Sequence, residues 1–313
     1  MKAAESMSNK AELTAYTEER KSARIQMAAA MAIFGTLGMF VKNIQLSSGA
    51  LALCRAMLAA GLIAVYMLVR GMRISFSAIR REIFFLLVSG VAMGINWILL
   101  FEAYNYTTVS NATLSYYFAP VLVTAVCPIL FREKLNLRQA LCFCMSTIGV
   151  VLIIGVSGFS GSGSDVTGIF LGLGAAVFYA SVTLLNKFIK NVTGIHRTFL
   201  QLTAAIVILI PYVICTGGLG LDRLDGAGWA NLMVVGLIHT GITYCMYFSA
   251  IKDMKGQQAA ILSYIDPLVA VIVSVAVLGE SISALQMLGG AMILGFAILN
   301  EITPKSESAV KWC

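Results

Sequence analysis

Residues 111–120 read Asn-Ala-Thr-Leu-Ser-Tyr-Tyr-Phe-Ala-Pro, and residues 258–267 read Gln-Ala-Ala-Ile-Leu-Ser-Tyr-Ile-Asp-Pro. Sliding the chain by 147 residues without a gap lays one stretch on the other, so that Ala112 falls on Ala259, Tyr117 on Tyr264 and Pro120 on Pro267. The register holds outward through Gly94 and Gly241, Phe101 and Phe248, Ala103 and Ala250, Val126 and Val273, Glu133 and Glu280, Gln139 and Gln286, and Met145 and Met292. Apolar segments coincide by chance, so the weight rests on Tyr, Pro, Glu and Gln keeping one frame. Shifts of 145 and 146 carry the match toward the N-terminus, setting Lys42 on Lys187, Phe34 on Tyr179 and Arg55 on Gln201.

The duplicated unit is a membrane unit. Of 313 residues, 59% are hydrophobic and 12% charged, against roughly a quarter charged in soluble domains, and the mean hydropathy is +0.86. This composition excludes a soluble enzyme. Apolar runs bounded by charge, Gly or polar clusters stand at about 25–41, 47–69, 83–103, 108–130, 137–156, 167–186, 198–216, 229–250, 257–278 and 284–302. Each is close to the roughly 20 residues a bilayer-crossing helix needs. None alternates with a period of two, so they read as helices, in which every backbone amide finds a partner inside its own segment. The connections at 105–107 and 279–283 have room only for hairpins.

Five runs per copy is an odd number, so the second copy enters the membrane upside down. The expected fold class is therefore an all-α membrane protein with ten transmembrane helices as two inverted five-helix repeats. The expected organisation is a cytosolic tail over 1–24, a first repeat over 25–156, a linker loop over 157–166, a second repeat over 167–302 and a cytosolic tail over 303–313. Basic residues set the orientation. With the N-terminus inside, of the 22 Lys and Arg only Lys42 and Arg223 fall outside, and Arg55 lies within a span. That asymmetry places both termini in the cytoplasm and accounts for the net charge of +7 by insertion physics rather than nucleic-acid binding. The opening stretch lacks a small-residue cleavage pattern, so the first span is expected to stay in the protein.

Asn111-Ala112 leads to Ala119-Pro120 and, thirteen residues on, to Glu133 in Phe-Arg-Glu-Lys-Leu; the second copy carries Tyr264-Ile-Asp266-Pro267 and Leu278-Gly279-Glu280. On these motifs the chain resembles the drug/metabolite transporter superfamily, in its EamA-type ten-helix branch, over about residues 25–302. Arg55 matches an arginine common early in the second span of such proteins. The resemblance implies secondary-active transport of a small organic metabolite or amino-acid- or amine-like solute by alternating access, with export the expected direction and a passive channel or a non-transporting receptor as the alternative. Similar members export amino acids, drugs and other metabolites, and some import or exchange them. Glu102 departs from the pattern, which has a small or apolar residue there, so the chemistry of the outer vestibule does not carry over.

Asp266 lies about ten residues into the ninth run, which at 1.5 Å per residue is about 15 Å deep, near the midplane. A carboxyl at that depth costs about 3 kcal/mol on insertion scales and usually faces a cavity or a partner. It is suited to holding a proton or a cationic solute in alternation, or else to accepting hydrogen bonds from backbone freed by Pro267. His239 stands at similar depth. With Thr243 one turn away and Asn96 at the repeat-related position of Thr243, it can form a polar patch facing Asp266, or serve as an inter-helix hydrogen-bond group. Trp97, Tyr116, Tyr117, Tyr179, Tyr244, Tyr247 and Tyr264 cluster at the same level, below the headgroup belt where Trp and Tyr ordinarily sit. With Asp266 they form the outline of a cage for an organic cation, and Tyr117 and Tyr264 lead it because each precedes a repeat proline by three residues.

Arg55 and Glu102 lie near the outer surface, where they can pair as a gate, form a static bridge or reach separately to water. Pro120 and Pro267 each remove a backbone bond and can kink the fourth and ninth runs into moving parts. Lys42, Lys187, Asn186 and Gln201 read as helix-end groups, and Glu133 and Glu280 as caps or hairpin pins. Gly90-Val-Ala-Met-Gly94 and Gly168-Ile-Phe-Leu-Gly172 fit close helix packing. Six of the seven cysteines sit in apolar runs and read as small packing residues. Two histidines and one deep carboxyl are too few for an intramembrane transferase. The Gly-Ser run at 160–164 lacks the lysine of a phosphate loop, so no cofactor or metal is expected. The expected partners are a small-molecule substrate and membrane lipids, with no nucleic acid, the chain acting as a monomer or homodimer in the plasma membrane.

Overall fold

The computed structural model describes residues 22–72, 76–131, 137–159, 163–186, 188–192, 194–252 and 262–302. Glu133, Lys187 and Ala259 of the sequence repeat lie outside them. Every regular element among the described residues is helical. The rods are α1 (Ser22–Val41), α2 (Ser48–Val69), α3 (Phe76–Tyr106), α4 in two pieces (Val109–Tyr116 and Ala119–Phe131), α5 (Leu137–Phe159), α6 (Gly163–Asn186) and α7 (Gly194–Cys215). Next comes α8, which begins as Gly226–Met233, widens into a π-helix over Val234–Ile242 and resumes over Thr243–Lys252; α9 (Ile265–Ala276) and α10 (Ala284–Ile302) complete the set.

Local chemistry sets several of these starts. The Ser47 hydroxyl accepts from the Ala50 N–H to cap α2, Thr108 accepts from Asn111 to cap α4, and Asp225 accepts from Gly228 to cap α8. At α10, Ser283 and Gln286 bond reciprocally, at 2.9 and 3.2 Å, in a capping box. Pro120 and Pro267 lie in the first turn of a helical piece, where the missing N–H has no intrahelical partner to lose. The breaks therefore fall just before the prolines: at Tyr117-Phe118 in α4 and at Tyr264 before α9.

Six of the helices are long and apolar enough to cross a membrane: Ser22–Val41, Ser48–Val69, Ile79–Tyr106, Gly163–Asn186, Gly194–Cys215 and Gly226–Tyr247. Shorter apolar helices cover Ala140–Leu152, Ile265–Ala276 and Ala284–Leu299. Burial runs opposite to that of a water-soluble domain. Phe84, Leu68, Val69 and Ile214 are turned outward, whereas Arg55, Glu82, Asn96, Gln201 and His239 are buried. Hydrocarbon as solvent produces this pattern: apolar side chains lose nothing by facing it, while polar groups must find partners inside.

The rods pair as α3 with α6 and α7, α2 with α7 and the π segment of α8, α5 with α10, and the first piece of α4 with α6 and α9. Without a hydrophobic drive between helices, closeness depends on small residues. A Cβ on Gly90 would lie 2.5 Å from Ala204 Cβ and 2.6 Å from the Gln201 carbonyl, and one on Gly168 would lie 2.6 Å from Thr107 Cβ. Gly35 matters most for the site, because a Cβ there would stand 2.5 Å from the Asp266 carbonyl oxygen and 2.6 Å from Val269 Cβ. Gly35→Ala is expected to force α1 off α9, costing about 1–3 kcal/mol as overpacking. Gly61→Ala, with nothing within 4 Å of the new methyl, is expected to leave the melting temperature unchanged or slightly raised. Thermal unfolding of the two purified variants checks the contrast.

Candidate functional site

Interrupted helices converge on Asp266. α1 breaks at Thr36 and α4 at Tyr117-Phe118, α9 starts at Ile265, and α8 is a π-helix through His239. Asp266 occupies the first turn of α9, where the partial positive charge of the helix N-terminus favours a carboxylate. The Tyr117 hydroxyl donates to Asp266 Oδ2, tying the α4 break to the α9 start. Asp266 keeps part of its surface exposed.

Arg55 of α2 is 3% exposed. Its Nε donates to Thr240 Oγ1 at 2.6 Å, and its guanidinium lies 4.5 Å from the centre of the Trp97 ring and 5.5 Å from that of Phe101. The π-helix supplies that acceptor. Widening the turn lets the Thr240 hydroxyl donate to the carbonyl five residues back, Val235, at 2.8 Å, which turns its lone pairs toward α2. Arg55 interacts electrostatically with Asp266 and with Tyr104, Tyr116 and Tyr244. Tyr104, Tyr116 and Tyr244 interact with Asp266 as well. Tyr116 meets Tyr117 edge-on at 5.7 Å and Tyr179 at 5.3 Å between ring centres. Tyr244 packs edge-on to Phe34 at 5.4 Å.

The expected polar patch of His239, Thr243 and Asn96 does not assemble around Asp266. His239 Nε2 lies 2.9 Å from Thr36 Oγ1 and Nδ1 lies 3.2 Å from the Val234 carbonyl, with Phe40 against the ring face. The Val234 carbonyl can only accept, while the single hydroxyl proton of Thr36 also faces the Ile33 carbonyl at 2.8 Å, so the direction of the Thr36–His239 bond follows the ring tautomer. Thr243 donates to Ile238 O, and Asn96 Nδ2 donates to Ala175 O at 2.6 Å, joining α3 to α6. The cost of an unpaired polar group in hydrocarbon explains why all three are consumed in ties. Tyr264 is placed differently from Tyr117: it is 4% exposed and belongs to one core cluster with Leu114, Phe118, Ala119, Ile169 and Ile293, whereas Tyr117 bonds Asp266.

The outer Arg55–Glu102 pair does not form either. Glu102 accepts from the Ser48 hydroxyl and, at 3.4 Å, from Asn105, and the one salt bridge among the described residues joins Lys42 Nζ to Glu280 Oε1 at 2.6 Å. Glu280 does far more than pin a hairpin. It accepts the Val109 N–H on both oxygens, at 3.1 and 2.9 Å, and the Ser274 hydroxyl, so one carboxylate binds the end of α1, the start of α4 and the end of α9. Glu82, which drew no attention in the sequence, is 5% exposed and accepts from the N–H groups of Lys190, Asn191 and Val192 at 2.7, 2.9 and 3.2 Å. The adjoining Gln201 donates to Ser89 and Asn186. A lone acid seven residues into a helix that begins at Phe76 was the available signal for Glu82; nothing local marks Thr36 or Thr240.

The EamA-like transporter family model matches residues 21–155 and again 166–301. The uncharacterized transporter YxxF of Bacillus subtilis (strain 168) is 30% identical over 295 residues, 94% of each chain. An uncharacterized transporter of Archaeoglobus fulgidus is 29% identical over 195 residues, 62% of this chain and 67% of its own. A protein of known crystal structure superposes with a TM-score of 0.62 over 93% of this chain and 99% of its own at 17% identity, a likeness of fold.

Proposed function

The chain belongs to the EamA-like transporter family, within the drug/metabolite transporter superfamily, as an integral multi-pass membrane protein, and on that premise we propose that it exports a small organic solute across the plasma membrane by alternating access. In this reading two inverted five-helix repeats enclose a chamber at mid-depth, both termini are cytoplasmic, and Asp266 is the charge-bearing centre. The observation that carries it is the Tyr117–Asp266 bond at the junction of two broken helices, the arrangement in which transporters place solute and coupling-ion sites.

Helix pairing supports the two-fold relation. Replacing each of the first five helices by the one five places later carries α2–α7 and α5–α10 onto themselves, α3–α6 onto α8–α1, α2–α8 onto α7–α3 and α4–α6 onto α9–α1, all of which are contacts in the fold. Side chains follow the same exchange. Arg55 reaches from α2 to Thr240 of α8, and its counterpart Gln201 reaches from α7 to Ser89 of α3. Tyr116, Tyr117, Tyr179 and Tyr244 then line the chamber with Trp97 beneath Arg55, while Asn96, His239 and Tyr264 hold its walls. Pro120 and Pro267 mark the joints at which α4 and α9 bend.

Asp266 is also proposed to carry the coupling proton, with Tyr116 and Tyr117 of α4, Arg55 of α2, Tyr104 of α3, Tyr179 of α6 and Tyr244 of α8 as the titratable groups around it. The test is transport by the purified chain in proteoliposomes under an imposed pH gradient. Accumulation of solute above the outside concentration is expected; equilibration alone would make the protein a channel.

A further inference from the structure

The face of α4 that carries Tyr117 holds two buried hydroxyls with no hydrogen-bond partner among the described residues, those of Ser110 and Thr113. Ser115, Thr147, Ser181 and Thr183 turn their hydroxyls onto the carbonyl four residues back, at 2.7, 2.8, 2.8 and 3.0 Å, the usual retreat where water is absent. Ser110 and Thr113 do not, although they are 0% and 4% exposed. At 3.6 residues per turn both point within about 40° of Tyr117. The neighbours of this piece fix what that face meets: Val109 abuts Gly38 of α1, Leu114 abuts Gly290 of α10, Ala112 and Ser115 abut Gly172 of α6, and Tyr117 reaches Asp266 of α9. Ser110 and Thr113 therefore line the seam between α4 and α9, across from the small buried residues Ala270 and Ser274.

The seam is pinned at both ends. Tyr117 bonds Asp266 at one; at the other, Glu280 takes the Val109 N–H and the Ser274 hydroxyl and pairs with Lys42. The helix between the pins is about 12 Å long. Hydroxyls left unpartnered in such a seam are costly unless water completes them. Side chains three and four residues apart on a helix stand about 5–6 Å from one another, the span that one water bridges with two bonds of about 2.8 Å. Resting on the reading of Asp266 as the proton carrier, we infer that the α4–α9 seam is its proton inlet: a short file of water, held by Ser110 and Thr113, joins the outer surface at Lys42 and Glu280 to Tyr117 and Asp266. Each oxygen in the file, the Tyr117 hydroxyl included, accepts one proton and passes one on, so that only Asp266 changes charge, from carboxylate to carboxylic acid. The Glu280 knot holds α1, α4 and α9 together at the mouth, where a proton passes and a solute is shut out. The titratable groups along the file are Lys42 of α1, Tyr104 of α3, Tyr117 and Glu280, and those around its inner end are the ones named above for Asp266.

Full-length protein oriented in vesicles, buffered alkaline inside, is acidified outside by rapid mixing. Infrared spectroscopy follows the carboxylic-acid C=O band that is present in wild type and missing in Asp266→Asn. In the double variant Ser110→Ala, Thr113→Val the band is expected to rise at least about tenfold more slowly, as loss of links from a hydrogen-bonded chain requires, while its equilibrium midpoint holds. A wild-type rate in the double variant overturns the inference and leaves Asp266 a proton carrier reached by another route. A band absent from wild type, or surviving in Asp266→Asn, takes down the proton reading itself and the inlet with it. Wild type alone decides if the variant misfolds. Hydroxyl radicals made from water by an X-ray pulse are expected to oxidise Tyr104, 7% exposed and beside Thr113, at least about threefold faster than Tyr264, 4% exposed, because only Tyr104 borders held water. Equal oxidation of the two tyrosines overturns the inference.

Discussion

Replacing Asp266 with Asn is expected to reduce concentrative transport to the rate of protein-free vesicles and to flatten what remains against pH. The substitution keeps the shape and the Tyr117 contact but removes the group that can alternate between charged and neutral forms, so the driving ion loses its carrier. Tyr117→Phe removes one hydrogen bond to Asp266 and leaves the carboxyl; its expected effect is smaller, about tenfold or somewhat more in rate, as for one bond to a charged acceptor. Uptake rates of the three proteins across a pH series give the comparison. Transport by Asp266→Asn with an unchanged pH profile would remove Asp266 from the mechanism.

Removing the Glu280 carboxylate is expected to be among the costliest single changes outside the core. It strands the Val109 N–H, the Ser274 hydroxyl and the Lys42 ammonium together, and bonds to a charged acceptor contribute about 1.5–3 kcal/mol each. Allowing for relaxation and water at the membrane surface, Glu280→Ala is expected to cost about 3 kcal/mol. Lys42, 31% exposed, is the minor partner, since a half-solvated ion pair is worth about 1 kcal/mol or less. The expected order of melting temperatures is therefore wild type, Lys42→Ala, Glu280→Gln, Glu280→Ala, from highest to lowest. Lys42→Ala melting as low as Glu280→Ala would assign the stability to the ion pair rather than to the cap on α4.

Much of this architecture is written in local patterns. Apolar runs foretell the all-helical character, with six helices long and apolar enough to cross a membrane, and the repeated Tyr and Pro at 117, 120, 264 and 267 mark the break in α4 and the start of α9, because proline chemistry acts within one turn. α3 begins at Phe76, ahead of the apolar run that starts at about 83, since the charges of Arg80, Arg81 and Glu82 do not by themselves end a helix. Contacts between residues far apart carry no local mark. Lys42 and Glu280 both looked like helix-end groups, and only packing of α1 against α9 makes them partners. The π-helix at 234–242 likewise has no composition that announces it, yet it decides that Arg55 meets Thr240 instead of Glu102. That Tyr117 and Asp266 stand together follows from the repeated prolines three residues and one residue after them; the division between Tyr117 at the carboxyl and Tyr264 in the core follows from which way each broken helix turns.

The inverted relation of the two repeats can be tested on a pair of exposed positions that the 145-residue register of this region makes equivalent, Gln45 and Lys190. Single cysteines placed there, in a chain whose seven native cysteines are replaced, are exposed in oriented vesicles to a membrane-impermeant maleimide. Labelling of Gln45→Cys from the outside only and of Lys190→Cys from the cytoplasmic side only is expected. Labelling of both from the same side would contradict it.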